Sequence, residues 1–390
     1  MKLTFLTLAG IENSTTKRVF YIAKELKKRG HEINFLSLNW VAKKGSAGKG
    51  NELIEGIKVK EIKIKDSLFS IFLVGPLRLF PKLNGDLIVL SKPLLPHTIP
   101  FLLANFFKRK KYVLDTDDWE GVGGGASYSH FGWLKRSMIT LFEEYIMNKA
   151  DGVIAVSRVL ERRSMDAGAK KVAYIPNVSD VGDFDVKEEE KEKLKKEFGI
   201  NNEKIFLSSG SHSADMVVDG IKFFIEGFGK AKGNFKIIIT GQGKYTENLK
   251  QLCNKLGLKD KVIFTGFVDD KKFSACVIIS HVAIIPHATK YPYTLYALSS
   301  SPRKMYEAMA SGLAVLGCPV GEVKETLGGS DNFLVPEGDV DALAKKIDEI
   351  IKMDNNKLKA IGLKNKEKIN EFYNFKVQGE NVERFLRTIL

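Results

Sequence analysis

Along this chain, short and nearly unbroken apolar runs alternate with longer stretches in which apolar side chains recur every three or four positions. A strand buried on both faces needs apolar residues at successive positions, and a helix lying on a sheet needs them at i, i+3 and i+4. The alternation therefore predicts βα units built around parallel sheets. Lys2 to Leu8 reads as a first strand. Val19, Phe20, Ala23 and Leu26 then share one helical face, Gly30 stops that helix, and Glu32 to Leu38 begins a second strand. Further strands are predicted at 87–90, 112–115 and 152–156, which completes one doubly wound domain at 1–178. From Lys187 to Lys196 the chain is charged, without apolar periodicity before Leu194, and this predicts a linker at 179–200. Beyond it the alternation restarts, with strands at 205–208, 235–240, 262–264, 282–285 and 314–316 and helices at 220–228, 247–256 and 302–311. The expected class is α/β, with a second doubly wound domain at 201–373.

A chain of 390 residues with 44% hydrophobic and 28% charged positions suits two soluble domains and excludes a disordered protein. Cys253, Cys276 and Cys318 are odd in number and form no C-x-x-C pair, so neither a disulfide framework nor a zinc knuckle is suggested, and a reducing cytoplasm is expected. The run Leu3 to Gly10 reads as a strand rather than a leader peptide, and no stretch approaches the roughly 20 apolar residues of a membrane-spanning helix. The net charge of +14 is lopsided: residues 1–178 carry 29 Lys and Arg against 17 Asp and Glu, the remainder 32 against 30. An anionic partner for the first half follows, either nucleic acid, an acidic membrane surface or a phosphorylated substrate, unless the lysines form only a solvated surface. Phe69 to Val74 and Phe101 to Lys111 set large apolar side chains beside a basic cluster. That combination suits docking on an anionic membrane surface to reach a lipid-linked acceptor, and equally a buried amphipathic helix with a charged exit. No nucleic-acid-binding module is visible, so nucleic acid is not an expected partner.

The most informative segment runs from Ser299 through Ser301, Pro302, Arg303, Lys304 and Glu307 to Gly312. Serine before proline predicts an N-cap with Pro302 at the first helical position, and Gly312 suits a left-handed cap. The helix start offers free N–H groups and the positive dipole end, and Lys304 adds a full charge, so a diphosphate fits there. Three positions apart, Lys304 and Glu307 share a face, and a carboxylate one turn behind a phosphate site is suited to accept from ribose hydroxyls. A surface Lys–Glu pair is the plain alternative.

This segment resembles the donor-site signature of glycosyltransferase family 4, the retaining GT-B enzymes among the glycosyl transferases group 1, in the form P-x-K-x-x-E-x-M-A-x-G. Other landmarks follow in the same order: Gly30-His31-Glu32, the stretch Ala150-Asp151-Gly152 to Val156-Ser157, Ile175-Pro176-Asn177, Gly241-Gln242-Gly243, and Phe264 to Val268. The resemblance implies a GT-B fold: two Rossmann-like domains facing an interdomain cleft, with the acceptor bound at 1–178, a nucleotide sugar at 201–373, and the last helix, 374–390, packing back on the first domain. It implies transfer of a sugar, hexosyl in kind and with retention, from a UDP- or GDP-sugar to a glycan or lipid-linked hydroxyl. Polysaccharide or glycolipid assembly at the inner face of the membrane is the setting, with no essential cofactor or metal. By the same resemblance Glu307 binds ribose, Lys304 and the helix start face the diphosphate, Phe267 and Val268 border the base, and Gly210, Ser211 and His212 approach the phosphates and sugar. There are two departures. Ser299 stands where many relatives carry a second glutamate, which leaves a catalytically inactive nucleotide-sugar binder as an alternative. No Arg or Lys follows Gly210, so Arg303, Lys304 or His212 would have to neutralise the diphosphate.

In the first half, Asp115, Asp117 and Asp118 fall at the carboxyl end of a predicted parallel strand, where open α/β sheets bind ligands. Asp117 and Asp118 are candidates for proton transfer or sugar contact; loop capping is the bland reading. Asp115-Thr116-Asp117 also forms a D-x-D triplet, but that pattern is too short to assign a metal. Gly10, Lys92 and His97 lie after predicted strands and are candidate acceptor contacts. The first loop lacks G-x-G-x-x-G, which argues against a nicotinamide-dependent oxidoreductase of similar architecture.

Overall fold

The structure, a computed structural model, describes residues 1–9, 14–41, 51–65, 67–128, 131–180, 187–213, 215–287, 289 and 294–390. The chain divides into two compact units, one made of Met1–Pro176 with Phe375–Leu390 and the other of Asn177–Asn374.

In the first unit one sheet contains β1 (Lys2–Thr7), β2 (Glu32–Val41), β3 (Asn51–Ile54), β4 (Ile57–Lys65), β5 (Leu87–Ser91), β6 (Lys111–Thr116), β7 (Gly152–Ala155) and β8 (Val172–Tyr174). Their order is β3-β4-β2-β1-β5-β6-β7-β8, parallel throughout except for the β3–β4 hairpin. Successive residues of the inner strands serve two helical layers in turn. Leu3, Phe5, Leu87 and Val89 pack on one side, and Leu6, Ile88 and Leu90 on the other. β4 has a different signature, burying Ile57, Val59, Ile62 and Ile64 while Lys58, Lys63 and Lys65 face solvent. Glu55 and Gly56, both at positive φ, make the two-residue turn that pairs it with β3. β3, β4 and β8 were not predicted.

The helix Phe375–Ile389 completes this unit. Val382, Leu386 and Ile389 join the core that holds Leu3 and Phe5. Phe385 and Ile389 lie so close over Gly152 that a Cβ there would stand 2.8 Å from both. Glu383 pairs with Arg29 at 2.5 Å and with His31 at 3.1 Å, and Arg29 with Arg387 holds its carboxyl down to about 2.

In the second unit β9 (Lys204–Ser209), β10 (Phe235–Thr240), β11 (Val262–Gly266), β12 (Val282–Ile285), β13 (Ala314–Gly317) and β14 (Phe333–Leu334) form a parallel sheet in the order β11-β10-β9-β12-β13-β14. Phe206, Val282 and Ile284 serve one helical layer, Leu207, Ala283 and Ile285 the other. The charged stretch expected within a linker is instead the helix Glu188–Glu197. Its acidic first turn and basic last turn match the helix dipole, Lys191 and Lys195 pair with Glu188 and Glu192, and Leu194 is buried. The charges there are a solvated helix face rather than a hinge.

Because folding depresses the Glu383 pKa, its stabilising contribution is complete above the unfolded value of about 4.3 and is lost as pH falls through the folded one. Glu383→Gln should lower the thermal midpoint at pH 7, and the gap from wild type should narrow steadily below about pH 4.3. A gap independent of pH would contradict the assignment.

Candidate functional site

Each sheet changes its winding direction once, between β1 and β5 in the first unit and between β9 and β12 in the second. At such a point the flanking crossovers leave in opposite directions and the carboxyl ends of the two strands stay uncovered, which is where open α/β sheets take ligands.

In the second unit β9 ends at Ser209, followed by Gly210, Ser211 and His212. This loop is pressed against the one after β10: a Cβ on Gly241 would lie 1.9 Å from the Gly210 carbonyl oxygen, and one on Gly243 would lie 2.4 Å from the His212 backbone. His212 is fully buried between them. Its N–H donates to the Gln242 carbonyl at 3.2 Å, its carbonyl accepts from the Tyr245 N–H at 3.1 Å, and its Nδ1 lies 3.0 Å from the Thr246 hydroxyl. Burial lowers its pKa, which favours the neutral imidazole. Phe267, after β11, is 81% exposed, and Val268 beside it is half-buried.

The helix Arg303–Ala310 is held by Met305, Tyr306 and Met309, all buried, while Lys304 and Glu307 share the opposite face. Lys304 Nζ lies 2.7 Å from one Glu307 oxygen, Arg303 lies 3.5 Å from the other, and Lys304 also sits 5.0 Å over the Phe273 ring. Lys304, Glu307, Ser209, Phe273, Ile285 and Ser311 line one small pocket beside the carboxyl ends of β9 and β12. The helix begins one residue later than expected, with Pro302 as N-cap. Ser301 is occupied elsewhere, its oxygen accepting from the Asn177 N–H and its hydroxyl donating to Tyr306, each at 3.2 Å. Gly312, at φ +74°, follows the helix end as a left-handed residue. Ser299 is fully buried and donates to the Tyr296 carbonyl at 3.1 Å.

In the first unit Lys92 follows β5 in a left-handed conformation, φ 60°, and reaches Asp117 at 2.9 Å, Asp118 in a shorter contact, and Glu120 at 3.6 Å. Parallel pairing explains the meeting: Ser91 registers with Asp115, so the residues after each strand emerge side by side. Burial pushes Asp118 up to about 7, with Lys92 opposing and Asp117 and Glu120 adding to the rise. Asp115 is buried against Arg18 at 3.2 Å, and Arg18 also donates to the carbonyls of Ile175 and Pro176. The two carboxylates of the D-x-D triplet are thus committed to different cations. His97 is not at the edge either. It is fully buried, bonded to the Ser91 carbonyl at 2.6 Å, and burial lowers its pKa to about 4, so it braces the turn that carries Lys92. Gly10 lies outside the described residues.

Sequence reading missed Glu120, Glu143 and Arg163. Glu143 is fully buried and accepts the N–H groups of Glu120 and Gly121 at 3.1 and 3.0 Å. Arg163 pairs with it at 2.6 Å and lies 3.5 Å over the Trp119 ring. Together they fix the loop that carries Asp117, Asp118 and Glu120. No local pattern marks them. A usable signal existed only in Lys92 and Asp117, each the first charged residue after adjacent predicted strands.

Residues 190–368 match the family described as glycosyl transferases group 1. An uncharacterized glycosyltransferase of Methanocaldococcus jannaschii is 28% identical to the chain over 208 residues, 51% of this chain and 50% of that one. The alpha-monoglucosyldiacylglycerol synthase of Streptococcus pneumoniae is 26% identical over 140 residues, 35% of this chain and 32% of that one. The chain thus spans between a third and a half of the length of these relatives. The crystal structure of HepE of Anabaena in complex with UDP superposes at a TM-score of 0.77, with 18% identity and all of both chains covered. The fold is GT-B, two parallel-sheet Rossmann-like domains, and Lys304 and Glu307 fall within the matched residues 190–368.

Arg163→Met leaves the Glu143 carboxylate unpaired in the interior. It should cost the first unit about 3–5 kcal/mol, read as a lower urea midpoint for that unit's transition. A loss under about 1 kcal/mol would mean that the pair is not a buried one.

Proposed function

We propose that the protein is a family 4 glycosyltransferase that moves a hexosyl group from a nucleoside-diphosphate sugar to an acceptor hydroxyl, with retention at the anomeric carbon. The single observation that carries this reading is the shared Lys304–Glu307 face beside the β9–β12 switch point, within the residues that match the group 1 family. The assigned roles follow from charge and reach. The Glu307 carboxylate accepts from the two ribose hydroxyls, which have no charge to repel it. Lys304 and Arg303, which flank Glu307, supply the positive charge for the diphosphate. Backbone at Gly210 and Ser211 approaches phosphate oxygens, and exposed Phe267 with Val268 offers a face for the base.

Transfer breaks the bond between the anomeric carbon and the phosphate oxygen and forms one to the acceptor oxygen. The acceptor proton leaves to the departing diphosphate or to the carboxylates around Lys92. UDP is the nucleotide in the Anabaena relative, and a diacylglycerol glycolipid is named for the streptococcal one. Both favour a UDP-sugar and a glycan or lipid-linked acceptor here, with GDP-sugars as the competing donors. A nucleotide-sugar binder without turnover is the second reading, favoured by buried Ser299 in the place of a glutamate.

Titration calorimetry with UDP- and GDP-sugars tests the donor site. Glu307→Ala should weaken the preferred donor by at least about tenfold, the loss of about 1.4 kcal/mol, and unchanged affinity would remove Glu307 from the site. Slow hydrolysis of the bound donor would dispose of the inactive reading. If Asp118 takes the acceptor proton, turnover rises with pH through about 7, since the carboxylate is competent only when ionised. Asp118→Asn should abolish that rise, and a wild-type profile in the variant would exclude the role.

A further inference from the structure

The outer face of the first unit is unusually apolar. Of the 21 large apolar side chains that are exposed among the described residues, 18 belong to this unit and only Phe267, Leu363 and Phe372 to the other. The densest group comes from two segments that pack on each other. Gly75, at the start of the helix Gly75–Leu79, is so close to Pro100 of the helix Leu95–Lys108 that a Cβ would meet its ring at 2.9 Å. Leu79, Phe101 and Ala104 point inward to the core beneath. Leu68, Phe69, Phe72 and Leu77 point outward from the first segment, and Phe106 and Phe107 from the second, the last two 74% and 75% exposed. A helix that is apolar on both sides is ordinarily covered on both, and an open apolar patch of this kind marks an interaction site.

The charges within these two segments have one sign. Segments 67–82 and 95–111 contain no Asp or Glu but include Arg78, Lys82, Lys108, Arg109, Lys110 and Lys111. The backbone is bent to place part of this charge beside the aromatic pair. Arg109 takes a left-handed conformation, φ 50°, its N–H bonded to the Asn105 carbonyl at 2.7 Å, while the Asn105 side chain clasps Lys110 through its N–H at 3.0 Å and its carbonyl at 2.9 Å. Lys108, Arg109 and Lys110 therefore follow directly on Phe106 and Phe107, whose rings meet edge to face at 5.2 Å. On the same side of the sheet the helix Trp133–Lys149 exposes Trp133, Met138, Leu141 and Tyr145, and its Ile146 and Met147 share the core of Phe101.

We propose that this face docks on an anionic lipid bilayer, with Phe69, Phe72, Phe106 and Phe107 entering the boundary between headgroups and acyl chains and the flanking Arg and Lys meeting lipid phosphates. Aromatic anchors ringed by cations are what such a surface selects. A second copy of the chain is the poorer occupant, because a two-fold contact would set this basic rim against itself with no carboxylate in either segment to neutralise it. The inference is read from the first unit alone and does not rest on the sugar-transfer reading.

Co-sedimentation of the full chain with extruded vesicles tests it, without any nucleotide sugar. The chain should pellet with vesicles of phosphatidylcholine and phosphatidylglycerol, less so at high salt, and remain in solution with phosphatidylcholine alone. The variant F69S/F72S/F106S/F107S changes only exposed side chains and should keep its circular dichroism and donor affinity while its partitioning falls at least about tenfold. K108E/R109E/K110E should remove the salt-dependent share. A wild-type chain that ignores anionic vesicles overturns the proposal, as does a serine variant that binds them undiminished. A wild-type dimer that the serine substitutions dissociate, with no lipid binding, assigns the face to a second copy instead. Because donor affinity is measured separately, failure here leaves the sugar-transfer reading standing, and the converse also holds.

Discussion

A parallel strand buried on both faces must have a helix on each side, and a chain that winds first one way and then the other leaves one pair of strand ends without a crossover above them. The Lys304–Glu307 pair and the cluster around Lys92 each lie beside such a point. In the second unit it falls at β9 and β12, and the short helix Arg303–Ala310, pinned by Met305, Tyr306 and Met309, is what sets a cation and a carboxylate beside it. In the first unit it falls at β1 and β5, and Lys92 stands at the end of β5 facing the acids that follow the neighbouring strand.

The two edges differ in how their charge is held. Around Lys304 the ions are partly solvated and their partners lie on the same helix, so they can exchange partners at little cost. Around Lys92 three carboxylates crowd one ammonium in a poorly hydrated site. The loop that carries them is anchored by Glu143, fully buried against Arg163, which also lies 3.8 Å from Glu144. The first arrangement is suited to capturing a charged ligand, the second to keeping a proton in play near neutrality.

The α/β class and the inner strands were legible because strands such as β5 and β12 are solid apolar runs whose neighbours have helical period. β4 escaped a reading tuned to such runs: its Ile-Lys alternation belongs to a strand with one wet face, although the pattern was there to be seen. Residues 188–197 looked like a hinge because a helix anchored by the single buried Leu194 shows almost no apolar period. At the candidate sites, Lys304 and Glu307 could be placed on one face from spacing alone, since helix geometry is local. That His97, His212 and Ser299 are interior could not, because burial of one side chain depends on segments distant in sequence. Glu143 and Arg163 were invisible for the same reason, being 20 residues apart on separate helices.

The return of residues 375–390 to the first unit has a consequence for biosynthesis. The core around Leu3 and Phe5 needs Val382 and Leu386, so it stays open at one side while the whole of the second unit is being translated. The second unit is continuous in sequence and is free to fold as it emerges from the ribosome, whereas the first must wait for its closing helix across a very long loop. During that interval Gly152 and the strands beside it lie bare, which makes the nascent first unit the stage at which a chaperone would be of most use.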